Sequence, residues 1–142
     1  MNLQWLTMRI SEEQERRQRE DIILKRLPRA LEELHESLAE CLQTYTQAFG
    51  PQAASIQFGS GHIRIEIREQ LAGRWTTRSE ISISNDTALP LFRIERGGDP
   101  YLIEVGVLTG DKLFYRDADE YITLEELTRR ILDRALFPKL VA

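Results

Sequence analysis

Leu24, Leu27, Leu31, Leu34, Leu38, Cys41, Tyr45 and Ala48 recur at alternating steps of three and four residues, so they return to one side of an α-helix. A stripe of that length must be covered, because apolar surface left in water is costly. The cover is written in the rest of the chain, where the period drops to two from Ala53 onward. These two periods predict an α+β fold. A long N-terminal helix, kinked near Pro28, and a C-terminal helix pack on an antiparallel sheet of about six strands.

The boundaries follow from local chemistry. Ser11 and Gln14 have the spacing of a capping box, which places a helix start there and leaves residues 1–10 as a loosely ordered or strand-like arm. Proline inside a helix removes a hydrogen bond, so a kink or restart is expected at Leu27-Pro28, and Gly50-Pro51 ends the helix at Phe49. Ile56 and Phe58 mark a short strand, followed by a tight turn at Gly59-Ser60-Gly61. Ile63, Ile65 and Ile67 then alternate with Arg64, Glu66 and Arg68. Gln70 to Gly73 turns into a strand from Trp75 to Ser84, with Ile81 and Ile83 inward. Leu91 to Glu95 and Tyr101 to Leu108 are further strands, separated by Gly97-Gly98-Asp99-Pro100. The second is the most apolar and reads as central. Thr109-Gly110-Asp111 turns into Lys112 to Arg116, and Thr123 with Glu126 caps a final helix that Pro138 ends. Turns this short join antiparallel neighbours, since a parallel crossover needs roughly a dozen residues.

A chain of 142 residues, 42% apolar and 30% charged, reads as a single globular domain spanning 1–142. Its lone cysteine, Cys41, makes no intrachain disulfide and sits on the apolar stripe, where a small buried hydrophobe is expected. No apolar run approaches the roughly 20 residues that span a bilayer. Residues 1–10 lack the basic region and cleavage site of a signal peptide, so a soluble, cytoplasmic protein is expected, with no membrane partner. A net charge of −4 argues against nucleic acid as a partner.

No motif marks a reaction. The chain has two histidines, His35 and His62. Glu32 and His35 have the spacing found in di-iron bundles, but such a site needs the pair twice and further glutamates. Gly59 and Gly61 sit between strands and not at the head of a helix, so they form a hairpin turn and no phosphate loop. The run Asp117 to Leu127 imitates the end of a calcium loop. Counting from Asp117, however, positions five, six and twelve hold Tyr121, Ile122 and Thr128, where an oxygen ligand, a glycine and a glutamate are required. Neither a metal nor a cofactor is expected. Arg64, Arg68, Arg74, Arg78, Arg93 and Arg96 lie among the strands beside Glu66, Glu80 and Glu95, which predicts cross-strand ion pairs on a solvated face.

Two functional readings remain. The first is a non-catalytic protein-interaction module, chaperone- or adaptor-like, acting as a small acidic homodimer and binding a protein partner through its sheet or helix. Within the long helix, Arg16, Arg17, Arg19, Lys25, Arg26 and Arg29 are mixed with acids between Glu12 and Arg29, whereas Ala30 to Phe49 carries Glu32, Glu33, Glu36 and Glu40 and no basic residue, so two antiparallel copies would set unlike charges together. The second is a small-molecule site, binding or enzymatic, in a cavity between sheet and helix. Trp75, Tyr101, Phe114 and Tyr115 would line it, with Tyr121 nearby and His62 as the group to act as a base.

Overall fold

Leu27, Leu31, Leu34 and Leu38 are buried as their spacing requires, against isoleucines projecting from one face of a sheet. In the computed structural model, residues 1–85, 89–98, 100–108 and 112–140 are described. The elements run α1 (Gln4–Phe49), β1 (Ala54–Gly59), β2 (His62–Leu71), β3 (Arg74–Asn85), β4 (Leu91–Glu95), β5 (Tyr101–Leu108), β6 (Lys112–Asp117), β7 (Glu120–Ile122) and α2 (Leu124–Leu136). All seven strands pair antiparallel in chain order, one uninterrupted meander.

The fold is the predicted α+β layer, with seven strands in place of about six. The additional strand, β7, has only three residues, too few to display a period. β5 is not central; β4 holds the middle of the order and is short, so its apolar content was small. Asp99 and the segment Thr109-Gly110-Asp111 lie outside the described residues.

Register fixes which side chains face the helices. Ile63, Ile83 and Ile94 stand in one cross-strand row, and Ile65 with Ile81 in the next. These five are fully buried, as are Phe92 and Ile103, which pair across β4 and β5. Each such side chain contributes about 1.5–3 kcal/mol of hydrophobic stabilisation relative to exposure. Two tight turns hold the first three strands in register. Ser60 and Gly61 both have positive φ (53° and 70°), as do Ala72 and Gly73 (52° and 77°), the backbone that matches strand twist in a two-residue hairpin.

α1 departs from expectation in three ways. It begins at Gln4, not at Ser11, so the first residues are neither strand nor loose arm; the Asn2 Oδ1 accepts from the Gln4 N–H at 2.9 Å. It also crosses Pro28 without a restart, giving 46 helical residues, about 69 Å at 1.5 Å per residue. Finally, the buried stripe steps from Leu38 to Leu42, leaving Cys41 exposed. A straight helix of 3.6 residues per turn drifts by about 20° per heptad, so a strict three-four pattern slides off the sheet within two heptads.

No residue before Leu27 is buried. Pro28 therefore sits where the exposed half of α1 meets the half that packs. Its missing N–H leaves the Leu24 carbonyl without its helical donor. Substituting Pro28→Ala should raise stability by about 1–3 kcal/mol, whereas Leu34→Ala should lower it by about 3 kcal/mol through the cavity it leaves. Urea denaturation of both variants measures the contrast.

Candidate functional site

The structure separates the aromatic residues that sequence grouped into a cavity. Tyr101 and Tyr115 point to the core side of the sheet, in line with Ile94 and Val105. Phe114 pairs with Gly106, one register position away from Val105, and so points to the other face. His62 also lies on that outer face, its Nε2 hydrogen-bonded to Ser82 Oγ. Trp75 lies against Gly50 at the far end of α1. Tyr115 is buried beside Phe92, with ring centroids 6.0 Å apart. The space between helices and sheet is filled by the core cluster. The clefts open at the periphery: Trp75 lines one of about 590 Å³ and Phe114 a separate one of about 580 Å³. Among the described residues, Ser82 is the only hydrogen-bond partner of His62, and no group of three or more His, Cys, Asp or Glu could hold a metal.

The helices cover one face of the sheet and leave the other open. Along the open face, register sets Gln57, Arg64, Ser82 and Glu95 in one row and His62, Ser84, Arg93 and Leu102 in another. A third row holds Leu91, Glu104, Arg116 and Tyr121. Towards β1 the surface is polar. The Thr77 hydroxyl (2.6 Å) and the Arg68 guanidinium (2.9 Å) both donate to Glu66 and hold its carboxyl below the ordinary carboxylate value. Towards β7 it turns apolar. Tyr121 and Leu102 are 67% and 46% exposed. The Phe114 ring lies across Gly106, whose hypothetical Cβ would come within 2.1 Å of it, and its centroid is 5.3 Å from that of Tyr121. Arg116 sits between these groups, paired with Glu104.

Arg68 pairs with Glu66 within its own strand, Arg116 reaches Glu104 and Arg78 reaches Glu69 across neighbouring strands, and Arg78 and Arg96 also turn to the helix side. The register shift between Ile67 and Arg68 makes Arg78 the extra residue between Thr77 and Ser79. Its Nη2 donates to the Ala135 and Leu136 carbonyls at 2.6 and 3.1 Å, capping the negative end of α2. Arg96 lies over the Tyr101 ring, 5.1 Å from its centroid. At the other end of α2, Thr123 accepts from the Glu126 N–H, as its capping box predicts. Arg130 binds Asp117, Glu120 and Glu126, at 3.0, 2.8 and 3.1 Å. Asp117 and Glu120 therefore anchor the last helix.

The second surface is the exposed half of α1, from Gln4 to Arg26. Ion pairs within the helix lace it together. Glu13 binds Arg16 and Arg17, Arg16 also binds Glu20, and Lys25 binds Asp21. The two arginines pull the Glu13 carboxyl down to about 2. Arg29 is engaged by Glu32 and Glu33 of its own helix, which weakens the charge asymmetry that sequence offered for an antiparallel dimer. What sequence undervalued is the tip, where Leu3, Trp5, Leu6, Met8 and Ile10 are all exposed. Cys41 lies in a groove of about 530 Å³ between α1 and α2, and burial together with Glu40 raises its pKa. That environment suppresses the thiolate.

Two measurements check this geometry. Arg78→Met should lower stability by about 2 kcal/mol, because the α2 carbonyls lose a charged donor in a half-buried setting. Burial holds the Tyr115 phenol up at about 12, above its ordinary 10. The fold favours the neutral form, so this contribution is intact below the unfolded value and is lost as pH rises from 10 through about 12. Tyr115→Phe should remove that part of the alkaline loss, seen as a flatter dependence of the urea midpoint on pH.

Among the described residues, no helix is long and apolar enough to cross a membrane. Comparison of the chain with protein-family models, curated proteins and solved structures gave no match.

Proposed function

We propose that the chain is a non-catalytic protein-interaction module, chaperone- or adaptor-like, that acts in the cytoplasm as a small acidic dimer. The observation that carries this reading is the uncovered face of the seven-stranded sheet, with Leu102, Phe114 and Tyr121 around the Glu104–Arg116 pair. An aromatic and aliphatic patch ringed by charge has the make-up of a protein-binding surface. Tyrosine and arginine are the residue types that dominate such contacts, because they bury large area while keeping a polar end. The filled core supports the same reading, since a partner would be met on the surface and not enclosed.

Native mass spectrometry of the protein as isolated tests it. A species of twice 16.5 kDa with no small-molecule mass is expected. A monomer carrying a reproducible small-molecule adduct would overturn the reading in favour of a ligand-binding domain. A photo-crosslinking residue at Tyr121, used in the source cells, should give one discrete heavier product that the same residue at Glu36 does not. Equal products from both positions would remove the open face as the partner site.

A further inference from the structure

The tip of α1 and its root are complementary, and one chain cannot bring them together. Trp5 and Met8 are 65% and 57% exposed. At the root, Ile22, Ile23, Pro90, Val107, Leu108 and Phe114 line a cleft of about 580 Å³ between α1 and the β5–β6 hairpin, and Ile22 and Leu108 are themselves exposed. Arg16 and Arg19 stand at the rim of that cleft. Trp5 and Ile23 belong to the same helix, about 27 Å apart at 1.5 Å per residue. The tip therefore cannot bend back into its own root.

We propose that two copies exchange these arms. They lie antiparallel about a two-fold axis, each tip seated in the root cleft of the other. This rests on the dimeric reading above and names its interface. Trp5, Met8, Glu12, Arg16, Arg19 and Ile23 follow each other at steps of three or four residues, so they share the side of α1 that carries the cleft. An axis passing between Glu15 and Arg16 sets Met8 against Ile23 of the partner subunit and Glu12 against Arg19 of the partner subunit. It also sets Glu15 against Arg16 of the partner subunit. Among the described residues Glu15 and Arg19 make no ion pair, whereas Glu12 pairs with Arg9 and Arg16 with Glu13 and Glu20. Exchange supplies both with partners. A two-fold makes every contact occur twice, which is how one short stripe becomes an isologous interface. The tip is apolar around most of its circumference, with Leu3, Leu6 and Ile10 on one side and Trp5 and Met8 on the other. Such a tip fits a cleft bounded by helix and hairpin better than it fits a flat face.

Cross-linking and mass together test the arrangement. On a Cys41→Ser background, Met8→Cys chains mixed with Ile22→Cys chains should give a disulfide heterodimer. Met8→Cys mixed with Phe49→Cys, at the opposite end of α1, should not. Trp5→Asp with Met8→Asp should halve the mass from twice 16.5 kDa while leaving the body folded, with the melting temperature that the wild type approaches on dilution to monomer, because both side chains are exposed in their own chain. A dimer that survives the double substitution, or one that fails to form the tip-to-root disulfide, overturns arm exchange and leaves the dimeric reading standing on another surface. A wild-type monomer overturns both. If that monomer binds vesicles of phosphatidylcholine and phosphatidylglycerol, and the double substitution abolishes binding, the tip's occupant is a lipid surface and arm exchange is wrong.

Discussion

The rest of the structure depends on one contact, the leucines of α1 laid across the isoleucines of the sheet. A meander of seven strands has no layer of its own to bury its apolar face. Without Leu27, Leu31, Leu34, Leu38 and Leu42 above them, Ile63, Ile65, Ile81, Ile83, Ile94 and Ile103 would be exposed together. A lone amphipathic helix is in the same position, since most helical stability in water comes from the face it packs. Each element is thus the condition for the other. Hairpin connections make this mutual rescue accessible, because no strand has to find a distant neighbour in the chain.

α2 is fastened differently. Its apolar face, Leu127, Ile131, Leu132 and Leu136, joins the core, but its position along the sheet is set by charge and hydrogen bonds at three points. Arg130 ties its first half to the β6–β7 turn, and Arg78 from the bulge of β3 holds its last carbonyls. The Ser37 hydroxyl donates to Thr128, whose own hydroxyl donates to the Leu124 carbonyl, joining the two helices at 2.8 Å. Hydrophobic burial is non-directional and would let a helix slide along its contact. Directional bonds at both ends prevent it.

What the sequence shows divides along the same line. Ile63, Ile65 and Ile67 alternate with charged residues, and a strand with that pattern has one way to bury its apolar half, so β2 and its turns were legible. The capping box at Thr123 was legible because it is entirely local. Cys41 misled because a stripe read at steps of three and four assumes a supercoiling partner, whereas a sheet accepts a straight helix and takes Leu42. The role of Arg78 was hidden because a bulge is a property of two paired strands and not of either alone. The aromatic residues grouped as one cavity lie apart for a related reason. One register position separates Phe114 from Tyr115, and that single step places them on opposite faces of the sheet. The open-face patch left only a faint signal, an apolar Leu102 and Tyr121 at positions where the alternation called for polar residues.

The exposed half of α1 poses a different problem, since among the described residues it has no buried side chain. Reading back from Leu24 at the same steps gives Glu20, Arg17 and Glu13, then Ile10, Leu6 and Leu3. The seam is apolar in the body, charged in the middle and apolar again at the tip. The charged middle supports itself. Pairs such as Glu13–Arg17 and Arg16–Glu20, at i,i+4 spacing, favour the helical state in water. That is enough to carry the helix outward, and it denies the sheet any apolar reason to extend beneath it. The tip gains nothing from such pairs, and an exposed tryptophan, methionine, isoleucine and two leucines are a standing cost unless something covers them. The ionic segment therefore works as a spacer of fixed length. It holds an apolar tip at a set distance from an apolar root, a spacing that a second, antiparallel copy of the same helix would match at both ends.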